Sequence, residues 1–336
     1  MENNKNNGLH VNEISENTKK SFKTRTITAL VLVAVCVPCL LFGNYAYLAL
    51  IVLVSMGAIY EFIHVLKEKK IPLWIKIFTF IMSLSFIFWV FFKNWNNGEV
   101  IHDGNIIISN IGVSTLGIAF EFLILFFASM IHENFSVSDA CYYFTMSIFI
   151  GIGMQSLLFL RYVPMSGISL GGLDNAFTYN GNQILSSFLF IYVVIGAFFN
   201  DIGAYCFGVL FGRHKMNPRI SPNKTWEGFF GGIIFSFIGS FLFGLILSLC
   251  GIPLLSGILD HNHWWWILLI SLVMPIVAVL GDFIFSAIKR YFGIKDYSNL
   301  LPGHGGILDR IDSLMVTSFS VTMIIIIIAY FPFVGA

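Results

Sequence analysis

Charged residues are scarce in this chain, and their scarcity excludes an ordinary water-soluble domain. Only 11% of its 336 residues are Asp, Glu, Lys or Arg, whereas soluble proteins carry about 25%. Hydrophobic residues make up 57% of the chain, and the mean hydropathy is +0.82. A composition this apolar cannot be covered by its own polar surface, so we expect the chain to fold in a lipid bilayer.

Other features are missing as well, and each absence removes support for a class of function. The formal net charge is only +1, and there is no basic arm or zinc-ligand pattern, so nothing indicates nucleic-acid binding. The sequence contains no P-loop pattern. It also shows no internal repeat, which weakens the case for an inverted-repeat transporter. The Cys36–Cys39 pair lies inside an apolar run, so we interpret it as apolar filler and not as a redox motif.

Nine apolar runs predict membrane-spanning helices, since about 20 apolar residues cross the hydrocarbon core. The first run is short, but no small-residue cleavage site and soluble domain follow it, so we interpret it as a retained helix and not as a signal peptide. We therefore expect an all-α integral membrane protein with about nine transmembrane helices. The predicted spans are 27–42, 45–66, 73–92, 106–131, 141–160, 184–210, 229–250, 264–288 and 314–334.

The basic residues predict the orientation of these spans. If the N-terminus is cytoplasmic and the spans alternate, every Lys and Arg except Lys93 and Arg161 falls on the cytoplasmic side, as the positive-inside rule requires. This distribution predicts an odd number of spans and an external C-terminus.

The chain also divides by composition along its length, because most of the unusual polar residues come after position 184. We predict a polar cytoplasmic tail over 1–26, transmembrane helices over 27–183 and a catalytic transmembrane region over 184–336. Solvated external loops are expected near 93–105 and 163–183.

The eighth predicted span carries ionisable residues, which are costly inside a membrane and need a reason. Asp282, Ser286 and Lys289 are spaced i, i+4 and i+7, so they share one face of the helix. Asp282 would lie about 10 Å below the cytoplasmic end of the span. One interpretation is an Asp282–Lys289 ion pair that locks helix packing, and the other is a functional site.

The following loop strengthens the interpretation as a functional site. Its glycine-rich segment, 302–306, frees backbone amides to approach an anion, and Asp309 and Asp312 share a face at the start of the ninth helix. Mg²⁺ takes one or two carboxylates together with substrate phosphate oxygens. The segment therefore predicts a metal–polyphosphate site, and a solvated loop is the alternative. His304 either binds a phosphate or fixes the loop, and we favour the second role.

A second polar cluster surrounds the end of the sixth span. Asp201 interrupts its apolar run, and the next loop offers Ser221 and Lys224 as a hydroxyl and a cation close to the membrane. A basic loop that serves only topology is the alternative interpretation.

Two segments resemble the phosphatidate cytidylyltransferase family. From Ser286 to Asp312 the sequence contains SAIKR, KDYS and LPGHGGILDRID, and every fixed position of the family's signature is present. The segments DIGAY, FGRHK and SPNKTWEGFFGG resemble the family's preceding motif, with Ile202 at a position where a small hydroxyl residue is common. The resemblance covers about 184–330, and the first half matches only as generic spans.

The resemblance implies a membrane enzyme whose polar active-site cavity faces the cytoplasm. It implies Mg²⁺ at the positions of Asp282 and Asp309, with Asp312 nearby, and a second, monovalent cation such as K⁺. It also implies a homodimer, which no feature of the sequence fixes. The positions it implicates in substrate or phosphate handling are Ser286, Lys289 and Lys224.

The predicted reaction is attack by the phosphate of phosphatidic acid on the α-phosphorus of CTP, which gives CDP-diacylglycerol and pyrophosphate at the plasma membrane. Two anions react, so neutralisation of charge dominates, and no general base is required. We predict a catalytic set of Asp282, Ser286, Lys289, Asp309 and Asp312, with the three aspartates as Mg²⁺ ligands. The predicted substrate- and phosphate-binding residues are Lys224, Arg290, Lys295, His304, Arg310, Asp201 and Ser221.

Three alternative functions compete with this hypothesis. A prenyl-lipid cytidylyltransferase would use similar carboxylates, but the complete signature favours a diacyl lipid. A CDP-alcohol phosphotransferase would need a DGxxAR…DxxxD pattern, which the sequence lacks. A secondary transporter could use Asp201 and Asp282 as ion relays, but it does not account for the density of phosphate-type ligands in the loop.

Overall fold

The computed structural model describes residues 16–66, 69–92, 111–166 and 183–330. Over these residues the chain forms nine α-helices and one two-stranded antiparallel sheet. A short 3-10 helix, His261–His263, precedes the eighth α-helix. The elements are α1 (Glu16–Phe42), α2 (Asn44–His64), α3 (Leu73–Phe92), α4 (Ile111–Ile131), α5 (Val137–Ser166), α6 (Gln183–Phe211), β1 (Lys215–Asn217), β2 (Ser221–Thr225), α7 (Trp226–Leu249), α8 (Trp264–Tyr291) and α9 (Leu308–Tyr330).

Each of the nine predicted spans coincides with one helix. Seven of the helices are long and apolar enough to cross a membrane, and α3 and α4 contain shorter apolar segments, Leu73–Ile87 and Leu116–Ile131. The prediction of an all-α integral membrane protein is therefore confirmed. The predicted loop near 93–105 with Lys93, most of the loop near 163–183, and the start of the polar tail lie outside the described residues.

Several helix boundaries differ from the prediction. Helix α1 begins at Glu16, inside the predicted polar tail, and α9 begins at Leu308, six residues before the predicted ninth span. Helix α5 continues to Ser166, so Arg161 lies inside the helix and not in the loop after the predicted span 141–160, while its predicted external side stays a prediction. Arg161 is fully buried, and its Nε donates a hydrogen bond to the backbone oxygen of Leu40 at 2.8 Å. Because partners on other helices satisfy the guanidinium, the charge does not end the helix.

Helices α6 and α7 pack with their backbones almost in contact. A Cβ atom added at Gly203 of α6 would lie 3.0 Å from the oxygen of Gly231 and 3.1 Å from the Cα of Gly232, both on α7. Small residues permit this approach, which supplies the packing between helices in a bilayer. The close approach fixes the position of the connection between α6 and α7 at one end of the bundle.

That connection is a β-hairpin, which the sequence analysis did not predict. Strands β1 and β2 are antiparallel, with Lys215 opposite Thr225. The side-chain oxygen of Thr225 caps α7 by accepting a hydrogen bond from the N–H of Gly228 at 3.1 Å. The hairpin and the cap together hold Lys224 directly before the helix begins.

Candidate active site

The first ion pair of the site joins the hairpin to α8. Lys224 of β2 donates a hydrogen bond to the carboxylate of Asp282, and the side chains are 27% and 30% exposed. The Nζ atom of Lys224 also lies 4.4 Å from the centre of the Phe283 ring. The Asp282–Lys289 ion pair considered as an alternative does not form, because each residue has a different partner. Both side chains of the observed pair stay accessible to a ligand.

A second ion pair joins α8 to α9. Lys289 Nζ donates to Asp309 Oδ1 at 2.7 Å, and the side chains are only 11% and 5% exposed. The other oxygen of Asp309 accepts hydrogen bonds from the N–H groups of Tyr297 at 2.9 Å and Gly306 at 3.0 Å. Asp309 therefore fixes both the end of α8 and the loop between α8 and α9.

Asp312 lies one turn further along α9 and is buried, with 5% of its surface exposed. One of its oxygens accepts the N–H of Ser313 at 2.7 Å. Its charge interacts with those of Asp282, Lys289 and Asp309. The tertiary fold thus brings together the three aspartates that are dispersed over two helices in the sequence.

A cavity of about 260 Å³ borders the first ion pair. Asp201 of α6, Lys224 and Asp282 provide its charged lining, and Asp201 and Asp282 are close enough for their charges to interact. Asn200 also lines the cavity and is 1% exposed. Apolar groups, including Phe229 and Val279, form much of the remaining wall. The cavity therefore offers both charged and apolar surface to a ligand.

Two predicted phosphate ligands use part of their guanidinium groups to hold loops. Arg290 donates to the backbone oxygens of Ile220 at 3.3 Å and Ile294 at 3.2 Å. Arg310 donates through Nε to the backbone oxygen of His304 at 2.7 Å. Both arginines are exposed, so their remaining N–H donors are open to an anion.

The other predicted ligands contribute less to this geometry. Lys295 is exposed, Ser221 begins β2 and is half-buried, and Ser286 is half-buried on α8. The buried Nδ1 atom of His304 makes no hydrogen bond to any residue that the structure describes. The backbone of His304 does fix the loop, since its oxygen accepts from Arg310 and its N–H donates to Leu301 at 2.9 Å.

Two residues that the sequence analysis missed border the site. Tyr297 lies under Lys289, whose Nζ is 5.5 Å from the ring centre. Burial, together with the carboxylates of Asp309, Asp312 and Glu61, raises the pKa of Tyr297 above its usual range, so its hydroxyl stays neutral. Glu61 of α2 is 1% exposed and accepts hydrogen bonds from the loop before α9. A carboxylate inside a predicted span was the available signal for Glu61.

A complete protein cage for a metal ion is not present in the described part of the chain. No group of three His, Cys, Asp or Glu side chains there is close enough to hold a metal. Asp309 has both oxygens occupied by protein donors, whereas Asp282 has one lysine partner and borders the cavity. The metal assignment made from the sequence therefore stays a prediction.

Comparison with known proteins adds independent information. A model of the cytidylyltransferase family matches residues 23–330. The phosphatidate cytidylyltransferase of Staphylococcus epidermidis (strain RP62A) is 32% identical over 295 residues, which cover 87% of this chain and 95% of that protein. The corresponding protein of Staphylococcus haemolyticus is 32% identical over 297 residues with the same coverage. That of Staphylococcus aureus (strain COL) is 36% identical over 200 residues, 59% of this chain and 64% of that protein.

Proposed function

The chain belongs to the cytidylyltransferase family, and we propose that it converts CTP and phosphatidic acid to CDP-diacylglycerol and pyrophosphate at the two ion pairs of the candidate site. We assign the reaction to these residues because the ion pairs Lys224–Asp282 and Lys289–Asp309 converge at one end of the bundle. Two polyanionic substrates need cations that are held in place before they arrive, and each lysine is fixed by an aspartate.

The two lysines neutralise the substrates' phosphates. An ammonium group has three N–H donors, and the hydrogen bond to aspartate uses one of them. The remaining donors of Lys224 are open to a ligand that enters the cavity, which this residue lines. Lys289 is more buried, so its charge acts in a poorly solvated environment where electrostatic stabilisation is strong.

The reaction needs no proton acceptor on the protein. A phosphate oxygen of phosphatidic acid is already ionised at neutral pH, and it forms a new bond to the α-phosphorus of CTP. The bond between the α-phosphorus and the bridging oxygen breaks, and pyrophosphate leaves with that oxygen. The protein therefore contributes by orienting both substrates and by stabilising charge on the transferred group.

The acidic residues fit a magnesium ion that is shared with substrate. Mg²⁺ binds one or two carboxylates and completes its octahedron with phosphate oxygens and water. The charges of Asp282 and Asp312 repel each other, and Asp282 borders the cavity. These two carboxylates would therefore hold the ion, whereas Asp309 mainly holds Lys289. Bound there, Mg²⁺ would supply Lewis-acid neutralisation of phosphate oxygens. A second, monovalent cation remains a prediction.

The position of the cavity suits a lipid substrate. Its charged residues adjoin apolar wall residues at the end of the transmembrane helices. The headgroup of phosphatidic acid would reach the ion pairs while its acyl chains remain in hydrocarbon. This arrangement supports a multi-pass membrane enzyme that takes one substrate from the bilayer and the other from water.

Release of pyrophosphate from CTP tests the proposed function directly. Protein purified in detergent is expected to release pyrophosphate only when phosphatidic acid and Mg²⁺ are both supplied, with CDP-diacylglycerol formed in equal amount. A polyprenyl phosphate offered instead of phosphatidic acid is the matched control for a related lipid acceptor. Folded protein that turns over no CTP with phosphatidic acid would contradict the assignment and favour transport, and turnover with the prenyl lipid alone would change the acceptor.

We propose that the cavity faces the cytoplasm and that the membrane is the bacterial plasma membrane. Lys215 in the hairpin and Asn262 in the 3-10 helix are exposed and stand at opposite ends of α7. In a cysteine-free background, we expect a membrane-impermeant thiol reagent added to intact cells to label Asn262→Cys but not Lys215→Cys. The opposite pattern would reverse the proposed topology, and labelling of Lys215→Cys after cell lysis is the control for reactivity.

A further inference from the structure

The loop between α8 and α9 contains most of the signature residues, yet helices from the other half of the chain hold it in place. The hydroxyl of Thr28 on α1 donates a hydrogen bond to the backbone oxygen of Pro302 at 3.0 Å. Glu61 on α2 makes a larger set of contacts further along the loop. The N-terminal helices, which look like generic spans in the sequence, therefore take part in building the site.

Glu61 accepts three hydrogen bonds from this loop and the start of α9. Its Oε1 atom accepts from the hydroxyl of Ser298 at 2.6 Å and from the N–H of Ile307 at 2.7 Å, and Oε2 accepts from the N–H of Leu308 at 2.8 Å. Glu61 is only 1% exposed. Because a buried carboxylate without partners is strongly unfavourable, these contacts indicate a side chain with a defined task.

The contacts cap the helix that carries two of the site's aspartates. The first N–H groups of a helix have no partner within the helix, and a negative charge there interacts favourably with the helix dipole. Helix α9 begins at Leu308, and Glu61 accepts from α2 the hydrogen bonds of the N–H groups of Ile307 and Leu308 at this helix start. Asp309 follows in the next position and Asp312 one turn later. The placement of both carboxylates therefore depends on where Glu61 holds the helix start.

The backbone of the loop is shaped for this approach. A Cβ atom added at Gly306 would lie 2.7 Å from Oε2 of Glu61 and 2.9 Å from its Cδ atom, closer than real side chains pack. Glycine is therefore needed at 306 to bring the loop onto the carboxylate. The N–H of Gly306 meanwhile donates to Asp309 at 3.0 Å, so the same residue touches both carboxylates.

We propose that Glu61 is a positioning residue for the reaction. Its hydrogen bonds from Ser298, Ile307 and Leu308, called here the Glu61 clamp, place Asp309 and Asp312 for catalysis. The inference rests on the proposed function for the reaction itself, whereas the clamp can be measured without turnover. Glu61 does not line the cavity, so its effect is on the orientation of other groups.

A graded series of variants tests the clamp. Ser298→Ala removes one hydrogen bond. Glu61→Gln removes the negative charge and replaces one accepting oxygen by an N–H₂ group, which faces donors of the loop. Glu61→Ala removes all three contacts. We expect kcat to fall progressively along this series, by about 100-fold for Glu61→Ala, since misplacement of catalytic groups by about 1 Å costs that much. The KM for CTP should change far less than kcat, because Glu61 does not line the substrate cavity.

Glu121→Gln is the matched control, because Glu121 is also a fully buried carboxylate within an apolar helix, α4, and makes no hydrogen bond to the loop. Its kcat should equal that of the wild type. Hydrogen exchange measured by mass spectrometry supplies a readout independent of turnover. Peptides that contain the amides of Ile307 and Leu308 should exchange faster in Glu61→Ala and Glu61→Gln than in the wild type. Their exchange rate should be unchanged in Glu121→Gln.

The results separate a positioning role from a merely structural one. If the role of Glu61 is purely structural, Glu61→Ala lowers the folded fraction, which thermal unfolding in detergent measures. The kcat per folded molecule then stays within about twofold of the wild type. That outcome, or unchanged exchange at Ile307 and Leu308, overturns the proposal. If Glu61→Ala does not fold, Glu61→Gln and Ser298→Ala decide by the same criteria. If the wild type itself releases no pyrophosphate, the proposed function fails, and the exchange data alone decide whether the clamp exists.

Discussion

Asp309→Asn is expected to lower kcat by about 1,000-fold or more, the largest effect of any single substitution in this protein. The asparagine cannot balance the charge of Lys289, whose side chain is 11% exposed, and its N–H₂ group would face donors, either Lys289 or the N–H groups of Tyr297 and Gly306. Loss of one charge-stabilising contact costs roughly 100- to 1,000-fold, and Asp309 supports three contacts at once. The measurement is pyrophosphate release under saturating CTP and phosphatidic acid.

The same substitution should also lower stability by about 3 kcal/mol, because it leaves a poorly solvated lysine without its counter-ion. Asp139→Asn is the matched control. Asp139 is as buried as Asp309, with 5% of its side chain exposed, and it pairs with Lys69 at 2.6 Å away from the site, although Lys69 is 46% exposed. We expect Asp139→Asn to lower the unfolding temperature but to leave kcat per folded molecule unchanged. Equal kcat losses in both variants would show that Asp309 acts only through stability.

Lys224→Met should lower kcat/KM by roughly 100- to 1,000-fold, because it removes a cation directly from the cavity. Methionine keeps the length and apolar stem of lysine, so packing against Phe283 is largely retained while the charge is lost. The loss also leaves Asp282 without its partner, which adds repulsion toward the phosphates of CTP. Initial rates over a range of CTP concentrations provide kcat and KM separately.

Two further variants show whether this effect depends on charge and position. Lys224→Arg keeps the charge but replaces a compact ammonium by a planar fork, so we expect a loss of about tenfold. Lys215→Met removes a lysine from the neighbouring strand of the same hairpin, where the side chain is exposed, and should leave kcat/KM unchanged. If Lys224→Met behaves like Lys215→Met, the hairpin has no part in substrate binding.

The ion pairs themselves illustrate the limit of prediction from sequence. Asp282 and Lys289 share a helix face, which made an ion pair between them plausible, but seven residues of α-helix separate them by about 10 Å along the axis. The observed partners come from elsewhere, Lys224 from the hairpin and Asp309 from α9. Helical spacing predicts which side chains share a face, but it says nothing about which other element covers that face.

The N-terminal helices show the same limit in another way. Glu61 lies in a predicted span, where a carboxylate signals a function, but no periodicity or motif indicates which residues it contacts. Its three partners are more than 200 positions away along the chain. Arg161 likewise looked like a loop residue, and only its buried hydrogen bonds place it inside α5.

The sequence by itself determined that the chain is an all-α membrane protein and where its spans lie, because apolar run length is set by the thickness of the bilayer. It also indicated where the proposed chemistry takes place, since charged residues in apolar surroundings and the signature from Ser286 to Asp312 are local features. The tertiary structure alone decided which lysine faces which aspartate, that the loop before α7 is a hairpin, and that α2 caps α9. These contacts join residues far apart in the chain, and their free energy depends on the packing of whole helices, which no local pattern of residues records.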